Sequence, residues 1–268
     1  MNREEVTQDD LPLLSASGLG FLSDPHLAAE PPGVRGPGYK GQIMAKLRDG
    51  LAKARERDLV PVLLGDLFHR ARGNPRELVA EAGDVLAPHR PWVLVGNNDL
   101  HNGILEDGGP LRTLERSNTI RLMDRPGPYF LLRTPEGTAL FGATPYGYPY
   151  PDSFDAARYG VGAVLWGSHH HAAFPEYPDK PHRLREIPGV DWVVNGHLHR
   201  PLDQRVHGST FWLNIGSLAR GKPRERNKHR VPVLTIWTFA GHQTRRMETV
   251  PLAHQPFSVV FPCEAGAA

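Results

Sequence analysis

The sequence predicts an α/β fold with its chemistry gathered at the ends of the strands. Two observations carry that reading. Short apolar runs alternate with helical stretches over residues 18–95, and five of the apolar runs along the chain are followed at once by Asp, Asn or His residues. Alternating strands and helices are the mark of right-handed crossovers onto a sheet. Ligands of such sheets bind beyond the carboxyl ends of the strands.

The elements follow in order. Residues 1–17 read as a flexible leader, with an acidic, polar start that is unlike a secretory signal. Gly18 to Ser23 reads as a buried strand. Residues 39–58 read as a helix with Met44, Leu47, Leu51 and Ala54 on one face. Leu59 to Leu64 is a second strand, and Pro61 suggests that it begins late. Residues 75–87 form a helix with Pro75 in its first turn and Pro88 past its end. Pro91 to Val95 is a third strand. Further apolar runs at 128–133, 138–142, 161–166, 190–194, 210–215, 231–238 and 244–250 carry few helices between them, so that half of the sheet structure is expected to be mixed or antiparallel. Pro145 to Pro151 reads as an ordered loop and 262–268 as a tail. No linker interrupts 18–261, which reads as one domain.

Composition narrows the classes. The chain has 268 residues, 40% hydrophobic and 22% charged, which excludes wholesale disorder. One cysteine excludes an intrachain disulfide framework and a cysteine-rich zinc site. No apolar run is long enough to cross a bilayer, so no membrane partner is expected and the cytoplasm is the expected compartment. The net charge of +2 does not by itself imply nucleic acid, whereas fourteen histidines are unusual, and histidine is the commonest metal ligand.

The strand ends are where these residues stand. Asp24 and His26 follow the first strand, Asp66 and His69 the second, and Asn97, Asn98, Asp99 and His101 the third. His169, His170 and His171 follow the run at 161–166, and His197 and His199 the run at 190–194. Each group alone is an ordinary turn. Five in one structural context are a poor coincidence. The set mixes oxygen and nitrogen donors without thiolate, which suits manganese, iron or zinc better than calcium. It holds too many ligands for one tetrahedral ion and enough for two ions sharing a carboxylate, the arrangement that clamps a phosphoryl group.

The motifs Asp24-Pro25-His26, Gly65-Asp66, Gly96-Asn97-Asn98-Asp99, His169 or His170, and Gly196-His197-Leu198-His199 resemble those of the calcineurin-like metallophosphoesterase superfamily, in the same order, from about residue 18 to residue 220. The resemblance implies a four-layer sandwich of two mixed β-sheets flanked by helices, with a dinuclear metal site at the strand C-terminal ends. It implies two divalent ions, manganese first, with iron or zinc as alternatives. Asp24, His26 and His199 would hold one ion, and Asn97, His197 and one of the triple histidines the other. Asp66 would bridge and act in catalysis, and His169 is favoured over His170. The Asp66-to-His69 spacing is similar to the SbcD-type branch of repair exonucleases, in which this histidine contacts the substrate phosphate. Asn214 to Arg220 resembles the segment after Gly-His-x-His in SbcD-like and phage-encoded enzymes, with Gly216 and Ser217 turning beside the metals.

One position departs from the family. Asn98 stands where a proton-donating histidine is usual, and an amide donates a hydrogen bond but no proton near neutral pH. Either the enzyme is slow, or His69 or His101 takes the role, or the leaving group needs no proton. Asn98 is then expected to hydrogen-bond the scissile group. Residues 220–230 carry six Lys or Arg and read equally as a solvated loop or as a phosphate-contacting surface, which makes Arg220 and Arg224, with Arg70, the candidate substrate contacts. Tyr146, Tyr148 and Tyr150 offer stacking faces or loop packing.

The expected function is therefore a metal-dependent phosphodiesterase, nuclease-like and acting on DNA or RNA. The alternatives are a small-molecule phosphodiesterase of a cyclic nucleotide or nucleotide derivative, and a non-catalytic nucleic-acid-binding scaffold. Nucleic acid is the expected partner as substrate, and a partner ATPase or a homodimer is left open.

Overall fold

In the computed structural model the described residues are 7–220, 223, 225–239 and 246–262. The strand β2 (Gly18–Leu22) is buried at every residue, and its two faces go to different cores. Leu19 and Phe21 point into one apolar cluster and Leu22 into another, as the period of two along a strand requires. A strand buried on both faces belongs in the middle of a layered structure.

The first sheet has the order β15 (Arg246–Pro251), β14 (Val233–Thr238), β2, β3 (Leu59–Leu63), β4 (Trp92–Leu94), β5 (Arg121–Met123). β2 to β5 run parallel, and β14 pairs antiparallel with both β2 and β15. Helices α1 (Tyr39–Glu56), α2 (Arg76–Leu86) and α3 (Pro110–Arg116) cover its outer face. Ile43, Leu47, Leu51 and Ala54 form the stripe of α1 that packs there.

The second sheet has the order β1 (Leu13–Ser15), β6 (Gly127–Thr134), β7 (Gly137–Thr144), β8 (Ala163–Ser168), β11 (Trp192–Asn195), β13 (Thr210–Asn214), β12 (Leu202–His207). β7, β8, β11 and β13 are parallel, while β6 and β12 are antiparallel to their neighbours β7 and β13. The two mixed sheets face one another across a shared core that includes Phe21, Val62, Leu94, Phe130, Phe141, Leu165, Trp192 and Trp237. The far side of the second sheet is covered by Tyr150, Phe154, Tyr159, Phe174 and Ile187 from the loops, where a two-stranded piece pairs β9 (Ala172–Ala173) with β10 (His182–Arg183).

The structure differs from the expectation at three places. Leu13–Ser15 is not leader, because it pairs in parallel with β6 and Leu14 packs on the inter-sheet core. β3 does not start late: Pro61 lies level with Gly20 of β2, and pairing to β4 begins only at Val62, so the missing N–H falls before that ladder. α3, β5 and β12 have no counterpart among the predicted elements. Residues 263–268 of the predicted tail lie outside the described residues. Among the described residues no helix is long and apolar enough to cross a membrane.

The parallel strands β2, β3, β4, β8 and β11 end at one edge of the sandwich, and their loops cross from sheet to sheet. The His169 ring donates from Nδ1 to Leu64 O of the opposite sheet at 2.7 Å. Phe141, fully buried between the sheets against Phe21 and Phe130, should be among the most costly residues to truncate. Phe141→Ala is expected to lower unfolding stability by about 3–5 kcal/mol, read as a shift of the urea midpoint at unchanged slope.

Candidate metal centre

The loops after β2 and β3 stay paired beyond their strands. Asp24 N donates to Gly65 O at 3.2 Å, His26 N to Asp66 O at 2.9 Å and Leu27 N to Leu67 O at 2.8 Å, and His69 N returns to Leu27 O at 2.8 Å. This ladder sets Asp24, His26, Asp66 and His69 at fixed heights. Asp24, His26, Asp66 and His197 all adopt positive φ, 49°, 51°, 52° and 65°. Such backbone costs about 1–3 kcal/mol at a non-glycine residue and collects at functional sites. Gly65 also has positive φ, and a Cβ there would overlap the His169 ring. A Cβ on Gly96 would overlap the Asp66 carboxylate. Both glycines are where they are because a ligand side chain occupies the space.

Two groups of ligand atoms result, Asp24–His26–His199 and Asp66–His169–His197, each with its atoms within 4.8 Å of one another. In the first, His26 Nε2 lies 2.9 Å from His199 Nε2, and Asp24 Oδ1 lies 3.5 Å from His199 and 3.8 Å from His26. In the second, His169 Nε2 lies 3.4 Å from Asp66 Oδ1, 3.2 Å from Asn97 Oδ1 and 3.2 Å from His197 Nδ1. Asp66 spans both, its Oδ2 standing 3.6 Å from His26 Nε2. Donors at about 2.1 Å from an ion are themselves separated by roughly 3–3.5 Å, close to the spacing seen. Asp24 Oδ1 is buried without a hydrogen-bond partner among the described residues, facing three imidazole nitrogens. A buried carboxylate oxygen in that state is explained by a cation. Two divalent ions fit this donor set.

The surrounding residues fix the ligands. Donation of His169 Nδ1–H to Leu64 O leaves the Nε2 lone pair toward the site. Asp99 accepts from Asp66 N at 2.9 Å and Gly96 N at 2.8 Å, stapling two ligand loops. Asn195, at the end of β11, accepts from Ser168 Oγ and His170 N and donates to Asn214 Oδ1. Asn214 in turn donates to Leu198 O and Arg200 O, which holds the His197–His199 loop. Segment 217–219 completes the frame. Ser217 N bonds His199 O, Leu218 N bonds Ser23 O and Ala219 N bonds Asp24 O.

Protonation suits metal binding. Burial works to raise the Asp24 carboxyl, but the nearby His199 and His169 imidazoles hold it at about 2. Asp66 is likewise held below the carboxylate range against its burial, chiefly by His169. Burial pushes His26 down to about 4 and His197 to about 3. For His169 burial opposes the proton, but Asp66 and Asp24 raise it to about 9, so proton and metal compete for its Nε2.

Several expected roles change. His170 stands in neither ligand group. It turns the other way, with Nε2 2.7 Å from Tyr148 O, because successive residues leave a strand on opposite sides. Asn98 does not face open space. Its N–H donates to Asp66 Oδ1 at 2.8 Å and its amide to Oδ2 at 2.6 Å, so it positions the Asp66 carboxylate. Arg220 is 1% exposed and donates to Gln255 O, so it lines no open surface. Arg224 lies outside the described residues. Arg70 is exposed beside His69. The His69 ring stacks edge-on against His26 at 5.6 Å and lines a cavity with His26 and His199. His101 closes a tight turn with Ile104 and belongs to neither group. Two residues take parts at the site that were not foreseen for them: His171, 2.8 Å from His197 Nε2, and Tyr146, whose ring meets His169 and His197.

The sequence model of the calcineurin-like phosphoesterase family matches residues 19–201. The chain is similar in fold to TT1561 of Thermus thermophilus, at 10% identity and a TM-score of 0.52, covering 88% of this chain and 99% of that one. It is similar also to a 5'-nucleotidase precursor from the same organism, at 16% identity and a TM-score of 0.51, covering 87% of this chain but only 54% of that longer one. No curated protein sequence matches the chain.

The geometry separates two adjacent histidines by metal content. After reconstitution with manganese and desalting, His169→Ala is expected to lose at least one of two ions per chain, and His170→Ala to retain both, as read by elemental analysis. Equal loss in the two variants would contradict the ligand assignment.

Proposed function

The chain belongs to the calcineurin-like phosphoesterase family and is a metallophosphoesterase, and from that premise we propose that it hydrolyses phosphodiesters of nucleotide type. The observation that carries this reading is the position of His69. It stands on the wall of a cavity of about 760 Å³, together with His26 and His199 of one metal group, where a phosphate at the ions comes within its reach. A cavity of this size suits a ligand of nucleotide dimensions.

When bound, two divalent ions supply charge neutralisation at phosphorus and an activated water. The chain's own residues do the rest. Asp66 faces both groups and is kept in place by the two Asn98 hydrogen bonds. His69 is shifted toward its neutral form by burial and by Arg70, so it donates a hydrogen bond to phosphate rather than acting as a strong acid. Asn98 has no proton to give. Substrates whose leaving group departs without protonation are therefore expected to react fastest, which fits a diester of an acidic alcohol.

The small-molecule reading is favoured by the size of the cavity and by the burial of Arg220. A nuclease acting on DNA or RNA, close to the SbcD-type repair exonucleases, is the second reading. Its support is Arg70, exposed next to His69, where a strand backbone would pass. Manganese is the metal proposed for either.

Two assays test the reading. Chelator-stripped protein reloaded with manganese is expected to hydrolyse bis(p-nitrophenyl) phosphate, and Asp66→Asn to lower kcat by roughly 100-fold or more. His69→Ala is expected to cost about 10–100-fold in kcat/KM for diesters. A nucleotide panel run beside labelled single- and double-stranded DNA separates the two substrate classes, and turnover of neither class nor of the chromogenic diester would sink the diesterase proposal.

A further inference from the structure

Four cations are packed beside the first metal group. Arg35, Lys46 and Arg220 are 6%, 2% and 1% exposed, and Arg230 is half-buried. Among the described residues none of the four forms an ion pair with a carboxylate. They hold instead backbone carbonyls, most of them in one short segment. Arg230 donates to Ser217 O and Ala219 O, Lys46 to Leu218 O and Arg35 to Arg220 O. The amides of that segment bond the Asp24 loop, so the cations are tied to a metal ligand through one stretch of backbone.

Carbonyl oxygens do not neutralise this charge. Lys46 is held well below its ordinary value by burial and by the three guanidinium groups, and burial with its neighbours' charge lowers Arg35 and Arg230 to about 10. Nε and Nη2 of Arg35 and Nε of Arg230 are buried without partners among the described residues. Buried cations are normally paired, since desolvation is costly. Here no described carboxylate pairs them, and the cluster borders a cavity. Arg35, Arg230 and the exposed Arg200 line the same cavity as His26, His69 and His199. Tyr39 lines it too, lying under the Arg35 guanidinium at 4.3 Å and donating to His26 O.

We propose that this cavity is a subsite for a second phosphate of the substrate, held by Arg35, Arg230 and Arg200 while the scissile phosphate lies at the metal groups. The inference rests on the phosphoesterase reading and names what the substrate must carry besides the reacting bond. Guanidinium groups match phosphate in planar, paired hydrogen bonds. The second phosphate belongs either to a nucleotide or to the adjoining backbone of a strand.

The test compares two chromogenic substrates on the manganese-loaded full chain: the p-nitrophenyl ester of thymidine 5'-phosphate, and the same ester carrying a 3'-phosphate. The wild type is expected to favour the second by about tenfold or more in kcat/KM. In Arg35→Met and in Arg200→Glu that ratio is expected to fall below about twofold. Arg200 is exposed, so its variant decides the matter even where Arg35→Met does not fold. Calorimetric titration of thymidine 3',5'-bisphosphate into chelator-treated protein gives a second readout, with binding expected in the wild type and lost in Arg200→Glu. If neither ester is hydrolysed the diesterase reading fails, while the calorimetry still decides the subsite. An oligothymidylate competitor assigns the second phosphate to a strand where it inhibits more strongly than the bisphosphate, and to a small molecule where it does not. A wild-type ratio near one, or a ratio and binding unchanged in both variants, overturns the proposal.

Discussion

Two carboxylates, Asp24 and Asp66, are buried at 0% and 1% exposure at the same edge of the sandwich, each close enough to His169 for its charge to be felt. Two like charges out of water repel, and each alone carries a desolvation cost of several kcal/mol. The arrangement persists because the folded loops leave no alternative. Ladder bonds clamp the loops after β2 and β3, Asp99 staples the Asp66 loop to the Asn97 loop, and the Asn195–Asn214 pair fixes the loop carrying His197 and His199. The imidazoles supply part of the compensating charge, and two divalent ions, which the donor set fits, would supply the rest. The strained φ values at Asp24, His26, Asp66 and His197 are the local signature of that enforcement.

This constraint also explains why the site was easy to read in the sequence while much around it was not. Parallel strands must deliver their ligands immediately after they end, so Asp24, Asp66, Asn97, His169 and His197 sit within a few residues of apolar runs. That proximity is visible without a structure. The choice between His169 and His170 was not visible, since it depends on which side of β8 faces the opposite sheet. The β12 strand escaped notice for a related reason. Leu202–His207 is an edge strand, mostly exposed, and carries no apolar run. Leu13–Ser15 was hidden because three residues following a proline give no periodicity, and α3 because seven residues give barely two turns.

The basic segment at 220–230 was only partly legible. A run of Lys and Arg is a statement about composition, and composition does not distinguish a solvated face from a buried cluster. Arg220 and Arg230 turn inward, where they meet Arg35 from the loop before α1 and Lys46 from α1 itself. Those four residues come from segments far apart in the chain. Only the tertiary fold brings them together, and no spacing rule could have announced them.

Asn98 connects these two halves of the site. Where a histidine would both hold the leaving oxygen and supply a proton, the amide is committed to Asp66 by two hydrogen bonds. The amide thus holds the Asp66 carboxylate and supplies no acid. A site without an acid works best on a bond whose leaving group is already stable as an anion. The cavity carries cations next to the metal groups, on the side lined by His26, His69 and His199. Arg35, Arg200 and Arg230 stand on that side of the cavity. On the proposal made above, the excess of cations is a demand on the substrate for a second negative group beside the scissile phosphate.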